Sequence, residues 1–168
     1  MTDSILERMK MEVVRALKSD IPAILEIWKE LMDFHLPFDS RYTLSDGAEE
    51  SMDKNLERLI EAEDALVIMA VENAKPLGFG IARIDKYPPV FVKQICGTIE
   101  DLAVSSEHRR KGIGELILKE MLDWFRSLGI DRVELRVASM NTVGYSFWRK
   151  HGFADYMHIM YRDLPEVE

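Results

Sequence analysis

Residues 98–129 read TIEDLAVSSEHRRKGIGELILKEMLDWFRSLG, and the reading of this stretch decides the fold. Thr98 to Val104 has the apolar character of a strand. A short polar turn follows, then a basic glycine loop from Arg109 to Gly114 and an amphipathic helix with a stop at Gly129. A strand, a glycine loop and a helix in this order aim several backbone N–H groups at one point before the helix N-terminus, where the helix dipole adds partial positive charge. That point is suited to an anion. Gly112 and Gly114 let the backbone turn tightly and come close to a phosphate, and Arg109, Arg110 and Lys111 add charge-assisted donors. Taken without its flanks, the basic run would read as a solvated charged face.

Two phosphate-binding loops are excluded by their own mechanics. A nucleotide-triphosphate loop needs Lys followed by Ser or Thr after its last glycine, whereas Lys111 precedes Gly112 and Glu115 follows Gly114. A dinucleotide loop needs a third small residue where the helix packs on the strand, and Ile117 stands there.

The run Arg109-Arg110-Lys111-Gly112-Ile113-Gly114 resembles the Arg/Gln-x-x-Gly-x-Gly/Ala loop of the GNAT superfamily of N-acetyltransferases. A second resemblance lies downstream, where Asn141, Gly144, Trp148 and the closing Gly152-Phe153 follow the family's Asn-x-x-Ala-x-x-x-Tyr pattern with its trailing Gly-Phe. The resemblance implies an α/β (α+β) GNAT fold, with a mixed central sheet of about six or seven strands flanked by about four helices. It also implies that the loop from Arg109 to Gly114, Ile113 included, cradles the pyrophosphate of acetyl-CoA. The backbone of Leu102, Ala103 and Val104 then pairs with pantetheine as an added strand would. Asn141 and Trp148 fall on positions that meet the cofactor arm, although an Asn before a helix is equally a good N-cap.

The reaction implied is transfer of acetyl from the thioester to a primary amine, by direct attack in a ternary complex. An ammonium has no lone pair, so a base is expected, and Glu100, beside the pantetheine segment, is the candidate. Asp101 points to the opposite face if the strand is regular, and a bulge would change that parity. The family's Tyr is replaced by Trp148, whose indole N–H is no acid at neutral pH. Tyr145, one turn earlier, is either a substitute acid or a core aromatic. A different class of function, a GNAT-fold sensor that holds acyl-CoA without turnover, is motivated by the same replacement.

Composition bounds these expectations. The chain has 168 residues and is 47% hydrophobic, enough for one domain, expected over residues 11–165 after an extension of residues 1–10. Its formal net charge of −8 disfavours nucleic acid and tolerates amines. Cys96 is the only cysteine, which excludes an intramolecular disulfide and a thiolate cluster. His35, His108, His151 and His158 lack metal-ligand spacing, so no metal is expected. The charged start and the lack of a long apolar run point to a cytoplasmic protein without membrane association. The acceptor expected is a small-molecule or peptide amine, and family habit allows a homodimer.

The remaining elements are read from periodicity. A strand is expected over Met11–Leu17, then a helix capped by Ser19 or Asp20 with Pro22 in its first turn. The aromatic segment 34–43 is either an acceptor-site lid or a connection pinned to the core. An acidic helix spans 46–63, and a hairpin joins 65–72 to 77–85. Further strands are expected over Gln94–Val104, Arg132–Val137 and Phe153–Arg162, with a short helix over Asn141–Lys150.

Overall fold

Short apolar runs bounded by polar breaks give the sheet its strands. In the computed structural model, which describes residues 11–164, β1 (Glu12–Arg15), β2 (Ala65–Glu72), β3 (Lys75–Lys86), β4 (Ile95–Val104) and β5 (Val133–Leu135) form one sheet in sequence order. The first three pairings are antiparallel, and β4 pairs with β5 in parallel. Parallel neighbours need a crossover, which is supplied by α3 (Ile113–Ser127). The other helices are α1 (Ile21–His35), α2 (Ala48–Glu61) and α4 (Thr142–Lys150). The expected extension of residues 1–10 lies outside the described residues. The chain divides into two compact units, one ending at Arg136 and the other beginning at Val137.

In the first unit, β2 and β3 are joined by a two-residue turn in which Asn73 and Ala74 both have positive φ, at 51° and 62°. This handedness matches the twist of the strands it connects. On one face of the sheet, Val67, Met69, Val71, Phe79, Ile81 and Ala103 pack with Ile24, Leu25 and Trp28 of α1 and Leu56 and Leu59 of α2. α1 starts at the Asp20 cap, with Pro22 in its first turn.

The opposite face is built for close approach. A Cβ on Gly80 would lie 2.7 Å from Ile117, and one on Gly97 would lie 2.5 Å from the ring of Phe125. Both contacts are closer than carbon atoms tolerate, so these glycines let α3 lie low on the sheet. α3 ends with Gly129 at φ 71°, whose N–H donates to the Arg126 carbonyl at 3.0 Å.

Two expectations fail. The predicted strand over Phe153–Arg162 does not form, and β5 covers only Val133–Leu135 instead of Arg132–Val137, so the described sheet has five strands. Phe153 to Arg162 has β-forming residues, but such residues express that preference only when a neighbouring ladder pairs with them. Tyr156, Met157, Ile159, Met160 and Tyr161 are exposed. In the second unit, α4 is preceded by Asn141, whose Oδ1 accepts from the Gly144 N–H at 2.8 Å, and Gly152 comes after it with φ 86°.

Gly97→Ala is expected to cost about 1–3 kcal/mol by overpacking against Phe125. In a Phe125→Leu background the cost should shrink, because the ring that the new methyl meets is gone. Urea unfolding of the double-mutant cycle measures this coupling.

Candidate functional site

β4 has a partner on both sides only at its start. Its pairing with β3 runs from Ile95 to Val104, whereas β5 reaches only Gly97, Thr98 and Ile99. From Glu100 to Val104 the second edge of β4 is unpaired among the described residues. Successive strand residues direct their N–H and C=O groups to alternate sides. The Ser105 N–H donates to Leu77 on the β3 side at 2.9 Å, so Val104 and Leu102 present theirs to the open side. Arg109 confirms the direction for Val104, since its Nε donates to the Val104 carbonyl at 3.1 Å.

The open edge runs into the glycine loop. Ser106–His108 makes one 3-10 turn, and Arg110 (φ 62°) and Gly112 (φ 80°) then take left-handed conformations on either side of Lys111. Alternation of this kind turns successive N–H groups inward as a concavity for anions. Gly112 is the N-cap of α3 and no side chain caps it. A Cβ on Gly112 would meet nothing within 4 Å, so glycine is favoured there by its φ and not by crowding. Arg110 and Lys111 are exposed, and Arg109 is folded back from the loop, with its guanidinium carbon 5.4 Å from the centre of the Phe34 ring. Glu30 of α1 accepts from the Ser106 N–H at 2.7 Å and ties that helix to the loop.

The two carboxylates on β4 are set apart by a bulge. Ile81 pairs with Asp101 and Ala82 with Ile99, so Glu100 is the extra residue. Glu100 Oε1 lies 2.9 Å from Arg83 Nε, although that N–H is buried and makes no hydrogen bond. Arg83 also pairs with Asp85 at 3.2 Å, and Asp85 accepts from the Thr98 hydroxyl at 2.6 Å. Asp101 stands opposite Ile81, whose side chain belongs to the core shared with α1 and α2, so Asp101 faces the same side. Protein encloses most of its carboxyl, and this burial, with the Glu100 charge next to it, pushes its pKa up to about 6. Nearby, Glu134 of β5 accepts from the Tyr87 hydroxyl and from Arg132 Nε at 2.6 Å. Burial opposes the charge on Glu134, but these donors outweigh it and hold the carboxyl below its usual range.

At the end of α1 the aromatic segment forms one cluster. His35 stacks against Tyr42 with ring centres 5.1 Å apart, and Phe34, His35 and Phe38 meet edge to face. The Leu31 carbonyl lies 2.8 Å from His35 Nδ1, which therefore carries the proton and donates it.

In the second unit, Asn141 is 8% exposed and engaged as the α4 cap. Tyr145 donates its phenol to Asp155 at 3.0 Å, and this bond raises its pKa and makes it a poorer acid. Trp148 packs edge to face on Phe153, with centres 5.3 Å apart. Sequence reasoning placed the base at Glu100 and left the facing of Asp101 dependent on whether β4 is bulged, which only the ladder reveals. Arg83, Asp85 and Glu134 left no spacing signal at all.

Among the described residues, no group of three or more His, Cys, Asp or Glu side chains could hold a metal ion. Among the same residues, no helix is long and apolar enough to cross a membrane.

Comparison with known proteins gives the arrangement its relatives. Over 57 residues the chain is 37% identical to streptothricin acetyltransferase from Streptomyces lavendulae, a match covering 34% of this chain and 30% of that protein. It therefore spans under a third of that relative's length. The BH1408 protein from Bacillus halodurans, as a tetramutant, superposes with a TM-score of 0.80 at 20% identity over 92% of this chain and all of that one. Aminoglycoside antibiotic 6'-N-acetyltransferase AAC(6')-IG from Acinetobacter haemolyticus superposes with a TM-score of 0.73 at 18% identity, over 94% of this chain and 100% of that one. At these identities the superpositions establish the fold. Residues 24–153 match the Acetyltransferase (GNAT) family, which is most of the chain, and the protein therefore belongs to that family.

Proposed function

We propose that this protein transfers an acetyl group from acetyl-CoA to a primary amine of a small molecule, by direct attack within a ternary complex. The observation that carries the reading is the unpaired edge of β4 leading, through one 3-10 turn, into a left-handed loop at the start of a fifteen-residue helix. Amide groups along the pantetheine arm can pair with Leu102 and Val104 as a further strand, and the diphosphate then meets the N–H groups from Arg110 to Gly114. The names of the relatives, streptothricin acetyltransferase and aminoglycoside N-acetyltransferase, support an amine acceptor.

Asp101 is the base in this reading. As the amine nitrogen bonds to the thioester carbonyl carbon it gains positive charge and becomes acidic. A carboxylate with a pKa near 6 is ionised at neutral pH and takes that proton. The carbon–sulfur bond then breaks, with the electron pair leaving on sulfur as a thiolate whose own pKa, near 8.5, makes a dedicated acid unnecessary. Glu100, the base expected from the sequence, lies beside Arg83, and its charge keeps the proton affinity of Asp101 high.

Calorimetric titration with CoA is expected to give micromolar binding that weakens at least tenfold in Gly112→Val, where a branched residue is strained at this φ. Absence of binding to the wild-type chain would overturn the assignment. Thiol release with a panel of amines separates an enzyme from a sensor, because a sensor binds CoA and releases none.

Asp101→Asn should lower kcat/KM about 10²–10⁴-fold and abolish the acidic limb near pH 6. Glu100→Gln should keep most of the activity and move that limb to lower pH, since a like charge has gone. The reverse pattern would assign the base to Glu100.

The raised pKa also fixes a stability signature. A carboxyl whose folded pKa is about 6, against 3.8 for the free group, favours the fold while protonated, and this contribution is lost as pH rises through 6. Asp101→Asn mimics the protonated form. Thermal melts should therefore show the variant more stable than wild type at pH 8, by on the order of 2–3 kcal/mol, with the gain vanishing below about pH 4.

A further inference from the structure

Phe34 stands in the last turn of α1, half-buried, with its ring fixed by edge-to-face contacts with His35 at 5.5 Å and Phe38 at 5.3 Å. These contacts hold the ring in one orientation, and His35 is itself held by Tyr42 and by its hydrogen bond to the Leu31 carbonyl. The guanidinium of Arg109 lies over the ring, 5.4 Å from its centre, within the range at which a cation is attracted to the aromatic face. An oriented aromatic face of this kind is a cation seat, and in the free protein Arg109 fills it.

We propose that the ring face of Phe34 is the binding place for an ammonium group of the acceptor other than the amine that is acetylated, vacated by Arg109 when the cofactor binds. The proposal rests on the acetyl-transfer reading and adds to it a named subsite for a cationic alkylamine. Arg109 has two holds in the free protein, the Phe34 face and the Val104 carbonyl at 3.1 Å. Neither is a carboxylate or phosphate, the partners for which a guanidinium fork is best matched. The Val104 carbonyl is one of the groups on the open β4 edge that an incoming pantetheine amide would pair with. A diphosphate in the adjoining loop, whose first residue is Arg109 itself, offers the guanidinium stronger acceptors. One binding event thus removes one hold and outcompetes the other.

The seat left behind favours another positive group. Glu30 lies one turn before Phe34 on α1, and its carboxylate accepts from the Ser106 N–H at 2.7 Å. Asp33 precedes Phe34 in the same turn, and the chain as a whole carries a net charge of −8. With Arg109 gone, this place has an electron-rich face beside the Glu30 carboxylate and no guanidinium over it. An alkylammonium fits there, whereas a carboxylate-bearing acceptor is repelled.

Tetramethylammonium is a suitable probe, because its charge without N–H donors isolates the ring-face interaction. Protein with labelled phenylalanine and histidine rings would be titrated with it and monitored by NMR, with sodium chloride as the control for ionic strength. In the wild-type protein the Phe34 signal should respond to the probe only when CoA is bound. In Arg109→Ala it should respond without CoA, with an apparent affinity several-fold above that of the free wild type. Phe34→Leu should bind CoA but show no probe-dependent shift in its His35 signals, and Phe34→Tyr should restore that shift. An equal response in wild type with and without CoA, a silent Arg109→Ala, or a Phe34→Leu protein whose His35 still responds would each overturn the seat. If CoA fails to bind the wild type, the acetyl-transfer reading falls by itself. The Arg109→Ala titration then still decides whether Phe34 holds a cation.

Discussion

Everything at this site depends on β5 being too short to accompany β4 along its length. A parallel neighbour that stops after three residues leaves the rest of β4 with one satisfied edge and one open one. Unpaired backbone N–H and C=O groups are costly where they are buried, and where they are exposed they are a template on which another extended chain can pair. Here the Arg109 guanidinium meets the Val104 carbonyl of that edge. The same shortness puts the open groups immediately before the loop, so the edge and the anion concavity form one track.

The bulge at Glu100 is the second constraint. An extra residue in β4 opposite β3 changes the facing of the residues after it, and this turns Asp101 toward the side occupied by α1 and α2. A carboxyl placed there loses water and gains a like-charged neighbour, and both raise its affinity for a proton. Arg83 lies between Glu100 and Asp85 and pairs with both carboxylates, on the side away from Asp101. One inserted residue thus gives two adjacent carboxylates different surroundings.

Much of this was legible in the residue order, for physical reasons that are local. Gly112 before an amphipathic run marks a helix start, Gly129 marks its end, and Asn141 ahead of α4 is read from capping chemistry alone. The hairpin between β2 and β3 is written in two apolar runs and a short polar break. The hidden features depend on partners distant in the chain. The bulge exists only in the pairing of β3 with β4, so the residue order pointed to Glu100 and could not show that Asp101 faces the α1 and α2 side. The orientation of Arg109 is set by Phe34, contributed by a helix far earlier in the chain. Phe153 to Arg162 looks like a strand by composition, yet composition says nothing of whether a ladder is present to receive it.

A three-residue strand has little ladder of its own, and β5 is fastened at its margins by side chains. The Tyr87 hydroxyl reaches Glu134, Arg132 clasps the same carboxylate, and Lys93 on the β3–β4 connection holds Asp131. Of the two clasps that reach this segment from the β3–β4 connection, the one from Lys93 is ionic and lies in water, where dissolved salt weakens attraction over about 8–10 Å. How firmly the short strand is fastened is consequently a property of the surrounding electrolyte as well as of the chain.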